Sequence, residues 1–248
     1  LFNDSSIKIS MDNLSIDQNI VSFTTNESDS YALEEALQIK EKIGGEVVAI
    51  TLGKESSLQV VKDALAKGAD RAIFINNKDM ENFDVLSIGK LLSQKLKQEE
   101  FDLILSGLQS DDNGNSQLGL ILAELLNMSH ASLVMGTEIE TEKSIKVKRE
   151  LEGGWFQWSN LDCPASISIQ SGINTPRYAT LKGIMSVKNK TVDSYSKNDI
   201  SCDISDDGYK ITEMFQPVKS KETIKVEGSP DEIVDELVEI LKNKLKVV

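Results

Sequence analysis

The sequence predicts an α/β fold built on a doubly wound, mostly parallel sheet. Short apolar runs alternate with longer runs whose apolar residues recur at helical spacing, and a strand followed by a helix occurs three times between residues 46 and 128. This alternation is typical of right-handed βαβ crossovers, which place helices over both faces of a parallel sheet. The strands also read as nearly continuous apolar runs, as expected when both faces are covered. With 248 residues, the chain is long enough for one large domain with appendages.

The first predicted element is an amphipathic helix at residues 31–43. Its apolar side chains recur at helical spacing, cap candidates precede it at 28–30, and a glycine pair follows at 44–45. Three further strand and helix pairs are then expected in the core. The strands are predicted at 46–53, 71–75 and 101–107, and the helices at 57–68, 85–100 and 120–128.

The pattern changes after residue 131. Apolar residues alternate on both sides of the glycine pair at 153–154, which predicts a two-stranded antiparallel hairpin. Residues 164–172 predict one further strand. Residues 186–222 are rich in Lys, Asp, Ser and Asn without clear periodicity, and they therefore indicate an extended arm.

The chain ends in a predicted helix. Ser229 and Glu232 form a capping-box pattern around Pro230, which suits the first helical position. A helix joined to the core by a long polar arm gains little stability alone, so we expect it to dock on another subunit. The sequence therefore predicts two regions, an α/β domain at 1–190 and an arm with a helix at 191–248.

Composition and charge exclude several classes of function. Forty acidic against 27 basic residues leave a formal charge of −13, opposite in sign to the surface that nucleic-acid binding needs. The longest apolar runs, such as 118–126, are far shorter than the ~20 residues that cross a bilayer, so no membrane insertion is expected. Cys163 and Cys202 lack metal-site spacing, and His130 is the single histidine. No metal site is predicted, and histidine-based acid–base catalysis is disfavoured.

The stretch GLQSDDNGNSQLG at 107–119 lies between a predicted strand and a predicted helix. In doubly wound sheets, ligands bind beyond the carboxyl ends of the strands, where a helix N-terminus offers free N–H groups and the positive end of its dipole. The stretch has three glycines and many neutral hydrogen-bonding side chains but no Lys or Arg, so it is not a P-loop that hydrolyses triphosphates. Two interpretations stay open: a nucleotide site, or Asp111, Asp112 and Asn113 acting only as helix caps.

Five stretches of the chain, in the same order, resemble one family. They are N-x-x-D-x-YALEEAL (26–37), ALAKGADRAIFI (64–75), FDLILSGLQSDDNGNSQLG (101–119), VKRELEGG (147–154) and INTPRYATLKGIM (173–185). Over about residues 20–190 the chain resembles the β subunit of electron transfer flavoproteins. The resemblance implies an adenine-nucleotide α-hydrolase-like fold for this region.

The resemblance also implies an electron carrier subunit and not an enzyme. Members of that family pair with an α subunit that holds most of a redox-active FAD, while the β subunit carries a structural AMP. They accept electrons from acyl-CoA dehydrogenases and other flavin dehydrogenases and pass them to a membrane quinone oxidoreductase. A bacterial member is cytoplasmic, and a eukaryotic member lies in the mitochondrial matrix.

The nucleotide contacts implied by the resemblance include several departures from the family pattern. Glu27 and Ser28 stand where the family commonly has proline and an aromatic residue, and Ser116 and Leu118 replace an asparagine and a threonine. Loss of a hydroxyl beside a phosphate removes a hydrogen bond worth about 0.5–1.5 kcal/mol. Three alternatives stay open for the site: AMP, a second FAD as in electron-bifurcating members, or no nucleotide. For the whole chain, a stand-alone adenine-nucleotide-binding protein also stays open. The implied contacts are Asn26, Glu27, Ser28, Leu52, Gly107, Gln109, Asp112, Asn113, Ser116, Gln117 and Leu118.

The family also opens with a strand that has no counterpart at the start of this sequence. That strand supplies one nucleotide contact in the family. Without it, a neighbouring strand would keep an unpaired edge. We therefore expect the domain at 1–190 to lack its first strand.

A second implied site is the loop at 176–185, by which family members bind dehydrogenases. Leu181 corresponds to an apolar anchor that inserts into a pocket of the partner, and one buried Leu contributes ~1.5–3 kcal/mol. The residues alone allow another interpretation, in which Leu181 begins a helix and packs inward. Glu150 corresponds to an acidic residue that holds the flavin domain of the α subunit through an arginine, or else it is a solvated strand charge. The implied partner contacts are Arg177, Tyr178, Ala179, Thr180, Leu181, Ile184, Met185 and Glu150.

Overall fold

The computed structural model describes residues 8–11, 14–17, 24–76, 84–202, 211–216 and 223–244. The chain divides into two compact units, Leu1–Glu213 and Met214–Val248. The first unit contains helices α1 (Glu27–Ile43), α2 (Leu58–Lys67), α3 (Val85–Leu96), α4 (Leu118–Leu126) and α5 (Leu181–Ser186). Its strands are β1 (Val48–Gly53), β2 (Arg71–Asn76), β3 (Leu103–Gly107), β4 (Ser129–Thr141), β5 (Ser144–Glu150), β6 (Phe156–Asp162), β7 (Ala165–Ile169) and β8 (Val192–Ser196).

The strands of the first unit form two sheets. One sheet has the order β1-β2-β8 and is entirely parallel. The other has the order β3-β7-β4-β5-β6, in which β3, β7 and β4 are parallel and β4, β5 and β6 are antiparallel. Most strand pairs are therefore parallel, and the prediction of a mostly parallel α/β fold is confirmed.

Helices cover both faces of the parallel strands, as a doubly wound fold requires. Along β2, Ile73 and Ile75 pack into one apolar cluster with residues of α3 and α4. The alternate residues Ala72 and Phe74 pack into another cluster with residues of α2. Because side chains alternate between the faces of a strand, the two clusters lie on opposite faces of the sheet. This explains why β2 reads as a continuous apolar run and is buried at four consecutive positions.

Strand β1 lies at one end of the first sheet, and strand β3 lies at one end of the second. Within the described residues, β1 pairs only with β2, and β3 pairs only with β7. The side chains of β3 are half-buried throughout, whereas those of β7 are all buried. Leu33 of α1 and Ala49 of β1 both pack against the cluster that includes Val61 and Leu65 of α2. Leu105 of β3 packs against the cluster that includes Ala32 of α1. The expectation that the domain lacks a strand stays a prediction.

Some elements differ from the sequence prediction. Helix α1 begins at Glu27 and has Asn26 as its N-cap, so the cap candidates at 28–30 lie inside the helix. Residues 129–141 form a long strand, β4, that no periodicity indicated. Val192–Ser196, which lie in the predicted arm, form β8 and pair with β2. The predicted hairpin around the glycine pair at 153–154 is confirmed as β5 and β6.

The second unit contains helix α6 (Pro230–Glu239), which continues as a π-helical turn over Ile240–Lys244. The predicted capping box is present: the Glu232 carboxylate accepts hydrogen bonds from the main-chain N–H of Ser229 at 2.8 Å and from its hydroxyl at 2.7 Å. Three apolar side chains of α6 are exposed, namely Val234, Leu237 and Val238. The predicted docking of this helix on another subunit stays a prediction.

Candidate functional site

The loop between β3 and α4 is held at its start by the first turn of α1. The side-chain amide of Asn26 donates to the main-chain oxygen of Gln109 at 2.8 Å and accepts from the main-chain N–H of Asp111 at 3.0 Å. The Ser28 hydroxyl donates to the same Gln109 oxygen at 2.6 Å, and the Asp29 carboxylate accepts from the main-chain N–H of Gly107 at 2.7 Å. Four hydrogen bonds therefore fix the loop to residues more than 75 positions earlier in the chain.

Gly107 permits this close approach of the loop to α1. A Cβ atom at Gly107 would lie 2.5 Å from the main-chain nitrogen of Asp29 and 2.6 Å from the carbonyl carbon of Ser28. Main-chain atoms at the start of a helix cannot move aside as a flexible side chain can. Packing between β3 and α1 therefore requires a glycine at position 107.

The second half of the loop turns into α4 without a side-chain cap. Gln117 is the N-cap and makes no side-chain cap hydrogen bond, so Asp111, Asp112 and Asn113 are not the caps of this helix. The main chain turns through Gly114 and Ser116, both with positive φ, and the Ser116 hydroxyl donates to the side-chain oxygen of Gln109 at 2.8 Å. An α-helix leaves its first N–H groups without intrahelical partners, so α4 directs donors toward this loop.

Helix α4 lies very close to the strands beneath it. A Cβ atom at Gly119 would lie 2.8 Å from the Ser106 hydroxyl, and the buried Ser166 hydroxyl donates to the Gly119 carbonyl oxygen at 2.8 Å. Small side chains at these positions let the helix approach β3 and β7. The N-terminus of α4 is therefore fixed relative to the ends of these strands.

The structure brings only part of the predicted nucleotide contacts into one hydrogen-bonded group. Asn26, Ser28, Gly107, Gln109 and Ser116 are joined by the bonds described above. The remaining contacts lie around or apart from this group. Asp112, Asn113 and Gln117 are exposed in the loop, Leu118 and Leu52 pack against the apolar cluster of α3, and Glu27 is exposed at the start of α1.

Asp29 also belongs to this hydrogen-bonded group, although it was not among the contacts implied by the sequence. The sequence placed Asp29 among the candidate caps of α1, whereas its carboxylate binds the main chain of Gly107. The signal was present, because Asp29 lies in the N-x-x-D stretch that begins at Asn26. The hydrogen bond between Asp29 and Gly107 joins two segments that are distant in the chain, and a single sequence does not show which distant segments pack together.

The second candidate site is an exposed apolar surface at α5. We call it the α5 face, and it consists of Tyr178, Leu181, Ile184 and Met185, all of them exposed. Helix α5 begins at Leu181, with the Thr180 hydroxyl accepting from the main-chain N–H of Gly183 at 3.0 Å. A helix therefore begins at Leu181, as the alternative interpretation of the sequence expected, but the Leu181 side chain is 75% exposed and does not pack inward.

Arg177 precedes the α5 face and is bound to α1. Its guanidinium binds the Glu34 carboxylate at 2.7 and 3.0 Å and the Glu41 carboxylate at 2.6 and 3.2 Å. Burial raises the pKa of Glu34, but hydrogen bonds from Arg177 and Gln38 outweigh it and bring the pKa below its ordinary value of 4.5. The hydrogen bonds to Glu34 and Glu41 raise the pKa of Arg177. Arg177 is therefore directed at its own chain.

Glu150 ends strand β5 and has a defined orientation. Its carboxylate accepts a hydrogen bond from the side-chain amide of Gln170 at 3.1 Å. Glu150 pairs with the half-exposed Phe156 across β5 and β6, and the Lys148 ammonium lies 4.1 Å from the centre of the Phe156 ring. The Glu150 carboxylate is therefore oriented by Gln170, and Glu150 lies opposite Phe156 in the β5–β6 pair.

The described residues contain neither a metal-binding cluster nor a membrane-spanning helix. Among them, no group of three or more His, Cys, Asp and Glu side chains is arranged to hold a metal ion. None of the helices in the described ranges combines the length and the apolar character needed to cross a membrane.

The fold and the fixed loop together define a doubly wound α/β protein. A family model described as the electron transfer flavoprotein domain matches residues 14–200. The chain belongs to the electron transfer flavoprotein family, and it resembles the β subunits of that family over nearly its whole length. Membership assigns the chain to electron transport as part of a flavoprotein.

Three relatives illustrate the extent of the similarity, and each is named an electron transfer flavoprotein subunit beta. The protein of Methylophilus methylotrophus is 33% identical over 242 residues, which cover 94% of this chain and 91% of the relative. That of Bacillus subtilis (strain 168) is 34% identical over 248 residues, covering 99% and 96%. The mitochondrial protein of Arabidopsis thaliana is 33% identical over 244 residues, covering 98% and 94%.

Proposed function

We propose that this chain is the β subunit of a heterodimeric electron transfer flavoprotein, and that its loop between β3 and α4 holds a structural AMP. The observation that carries the proposal is the four-bond attachment of this loop to the first turn of α1. A loop fixed in this way keeps its shape before a ligand arrives, so little ordering is needed on binding.

The donors around the loop suit a nucleotide monophosphate. Helix α4 offers main-chain N–H groups at its N-terminus, and the amide side chains of Asn113 and Gln117 are exposed beside it. Residues 107–119 contain no Lys or Arg that would neutralise a triphosphate. We assign the phosphate to the start of α4 and the ribose to the neighbouring amide side chains.

In this proposal the chain binds its nucleotide and its protein partners and orients the flavin domain of the α subunit. It takes no chemical part in electron transfer. The FAD is held mainly by the α subunit, and when bound it supplies reversible one-electron and two-electron transfer. Glu150, oriented by Gln170, binds an arginine of the α subunit's flavin domain. The second unit, with the exposed apolar side chains of α6, docks on the α subunit.

Electron donors bind at the α5 face. A transient electron carrier needs one small apolar anchor whose neighbouring contacts contribute little binding energy. The 75% exposed side chain of Leu181 provides such an anchor. Acyl-CoA dehydrogenases and other flavin dehydrogenases are the proposed donors, and a membrane quinone oxidoreductase is the proposed acceptor.

Co-expression of the chain with its α subunit tests the proposal. We expect a yellow heterodimer that contains one flavin and that an acyl-CoA dehydrogenase reduces in the presence of its substrate. Two flavins per heterodimer would favour the electron-bifurcating alternative, in which a second FAD replaces AMP. A colourless chain that does not bind the α subunit would contradict the assignment.

A further inference from the structure

The α5 face presents large apolar side chains on a helix that is too short to be stable alone. Tyr178 is 93% exposed, Leu181 75%, Ile184 56% and Met185 61%, while α5 has only six residues. Isolated helices of this length do not persist in water. Contacts with the rest of the unit must therefore hold the four side chains in place.

Arg177 supplies the first of these contacts. Besides its guanidinium, its main-chain N–H donates to the Glu34 carboxylate at 3.1 Å, so both the backbone and the side chain are held by α1. Glu34 is only 5% exposed. Asn174, three residues earlier, donates to the Tyr31 carbonyl oxygen at 3.1 Å. The segment that leads into the α5 face is thus attached to α1 at two points before Tyr178 begins the face.

Gly183 supplies the second contact, on the opposite side of α5. A Cβ atom there would overlap the Ala66 carbonyl oxygen and would lie 3.3 Å from the Ala66 carbonyl carbon. Leu181, Ile184 and Met185 are spaced i, i+3 and i+4 and share one side of the helix. Because Gly183 packs against α2, the side of α5 that carries Leu181, Ile184 and Met185 faces solvent.

Lys190 supplies the third contact, just after α5. Its ammonium donates to the carbonyl oxygens of Leu65 at 2.8 Å and Ala69 at 2.6 Å, at the C-terminal end of α2. A cation at this end also interacts favourably with the helix dipole. The chain is therefore attached just before the α5 face, where Arg177 binds α1, and again just after it, where Lys190 binds the end of α2.

We propose that Arg177 and Gly183 are positioning residues, which hold the α5 face in the arrangement that a partner protein with an apolar pocket binds. This proposal rests on the proposed docking function of the α5 face. In it, Arg177 contributes to partner binding through α1, with its guanidinium bound to Glu34 and Glu41. A face that is already ordered loses little conformational entropy when a partner binds, and loosening it weakens binding without removing a contact.

The test compares four variants of the heterodimer, using an acyl-CoA dehydrogenase as the electron donor. Arg177→Lys keeps the positive charge but loses the paired guanidinium hydrogen bonds to Glu34 and Glu41. Gly183→Ala disturbs the contact with Ala66. Leu181→Ala removes the apolar anchor itself. Asn189→Ala changes an exposed residue near the face and serves as the control. The measurements are kcat and KM for the heterodimer as electron acceptor, together with flavin reduction by dithionite and thermal unfolding.

We expect Arg177→Lys and Gly183→Ala to raise KM by roughly fivefold to tenfold, as when a few side chains must be ordered on binding. Reduction by dithionite should not change, and Asn189→Ala should match the unmodified chain. If Arg177→Lys does not assemble, Glu41→Gln loosens only the exposed half of the attachment and should raise KM less.

Three outcomes would overturn the inference, and they differ in which part of the proposed function they leave intact. If Leu181→Ala raises KM while Arg177→Lys and Gly183→Ala leave it unchanged, the face docks but needs no positioning residues. If Leu181→Ala itself has no effect on KM, the α5 face is not the docking surface and both the inference and the docking proposal fail. A lowered unfolding temperature with unchanged KM would also reduce Arg177 to a purely structural residue.

Discussion

At the scale of single residues, the amide of Asn26 joins the two segments that form the loop site. It both donates to and accepts from the main chain of the loop, at Gln109 and Asp111. A side chain that makes both bonds cannot be replaced by a carboxylate or an ammonium without losing one of them. Asn26 therefore acts chiefly by shaping the loop.

Asn26→Ala removes both bonds, and we expect the free energy of unfolding to fall by about 1–3 kcal/mol, as for two hydrogen bonds. We also expect less nucleotide to remain in the purified heterodimer. Chemical denaturation and the amount of released nucleotide measure the two effects. Gln98→Ala, which changes an exposed amide outside the loop, should alter neither. Equal nucleotide content in the two variants would show that the attachment by Asn26 does not shape the site.

Glu34 makes the stability of the chain depend on pH. Its pKa in the folded chain lies below the ordinary value of 4.5, so its contribution to stability is present well above pH 4.5 and is lost as the pH falls through the lowered value. Glu34→Gln should destabilise the chain at neutral pH by up to about 3 kcal/mol, the low end for a buried pair, because 32% of the Arg177 side chain is exposed.

Unfolding curves at pH 7 and pH 3.5 check this dependence. The difference between the unmodified chain and Glu34→Gln should shrink at the lower pH. The control Glu152→Gln, at an exposed carboxyl group, should give no such change. A difference that stays constant over this pH range would mean that Glu34 does not contribute through its charge.

At the scale of elements, the packing of α1 against β3 depends on Gly107. Gly107→Ala places a methyl group within contact distance of main-chain atoms of α1, so the helix must shift or the strand must bend. We expect a loss of about 1–3 kcal/mol, as for other overpacked positions. Gly114→Asn is a suitable comparison, because no atom lies within 4 Å of a Cβ there and Asn tolerates positive φ. Similar thermal stability of the two variants would contradict the close packing.

Elements with a regular apolar pattern could be predicted from the sequence, and those without one could not. Helices α2 and α3 and strand β2 have such patterns and occur where they were expected. Strand β8 has the sequence VDSYS, which is too polar to indicate a strand, and it forms because β2 offers a free edge. Tertiary pairing thus overrides weak local propensity.

The candidate site divides in the same way. The sequence identified the loop at 107–119 because glycines and neutral polar residues stand between a strand and a helix. It did not show that Asn26 and Asp29 bind that loop, because the bonds join residues about 80 positions apart. The exposure of Leu181 was likewise open, since a helix beginning there could have packed inward.

At the scale of the whole molecule, each compact unit leaves several large apolar side chains exposed. The first unit exposes the α5 face, and the second exposes Val234, Leu237 and Val238 on α6. Exposed apolar groups of this kind mark sites of protein association. With two such surfaces, one chain can hold a permanent partner and still bind a transient one.

Leu237→Asp in the full chain tests the assignment of the permanent partner to α6. We expect less heterodimer on co-purification with the α subunit, because a carboxylate would be buried without a partner. Thermal unfolding of the chain alone should change little, since the side chain is 48% exposed. Asp235→Asn, a polar change on the same helix, should leave assembly intact. Undiminished assembly of Leu237→Asp would place the α-subunit interface elsewhere.

The loop fixed by α1 is proposed to carry a structural adenine nucleotide. The most direct measurement is to denature the purified heterodimer and to identify and count the released nucleotides by mass spectrometry. We expect one AMP and one FAD per heterodimer. Release of one FAD and no other adenine nucleotide would contradict it.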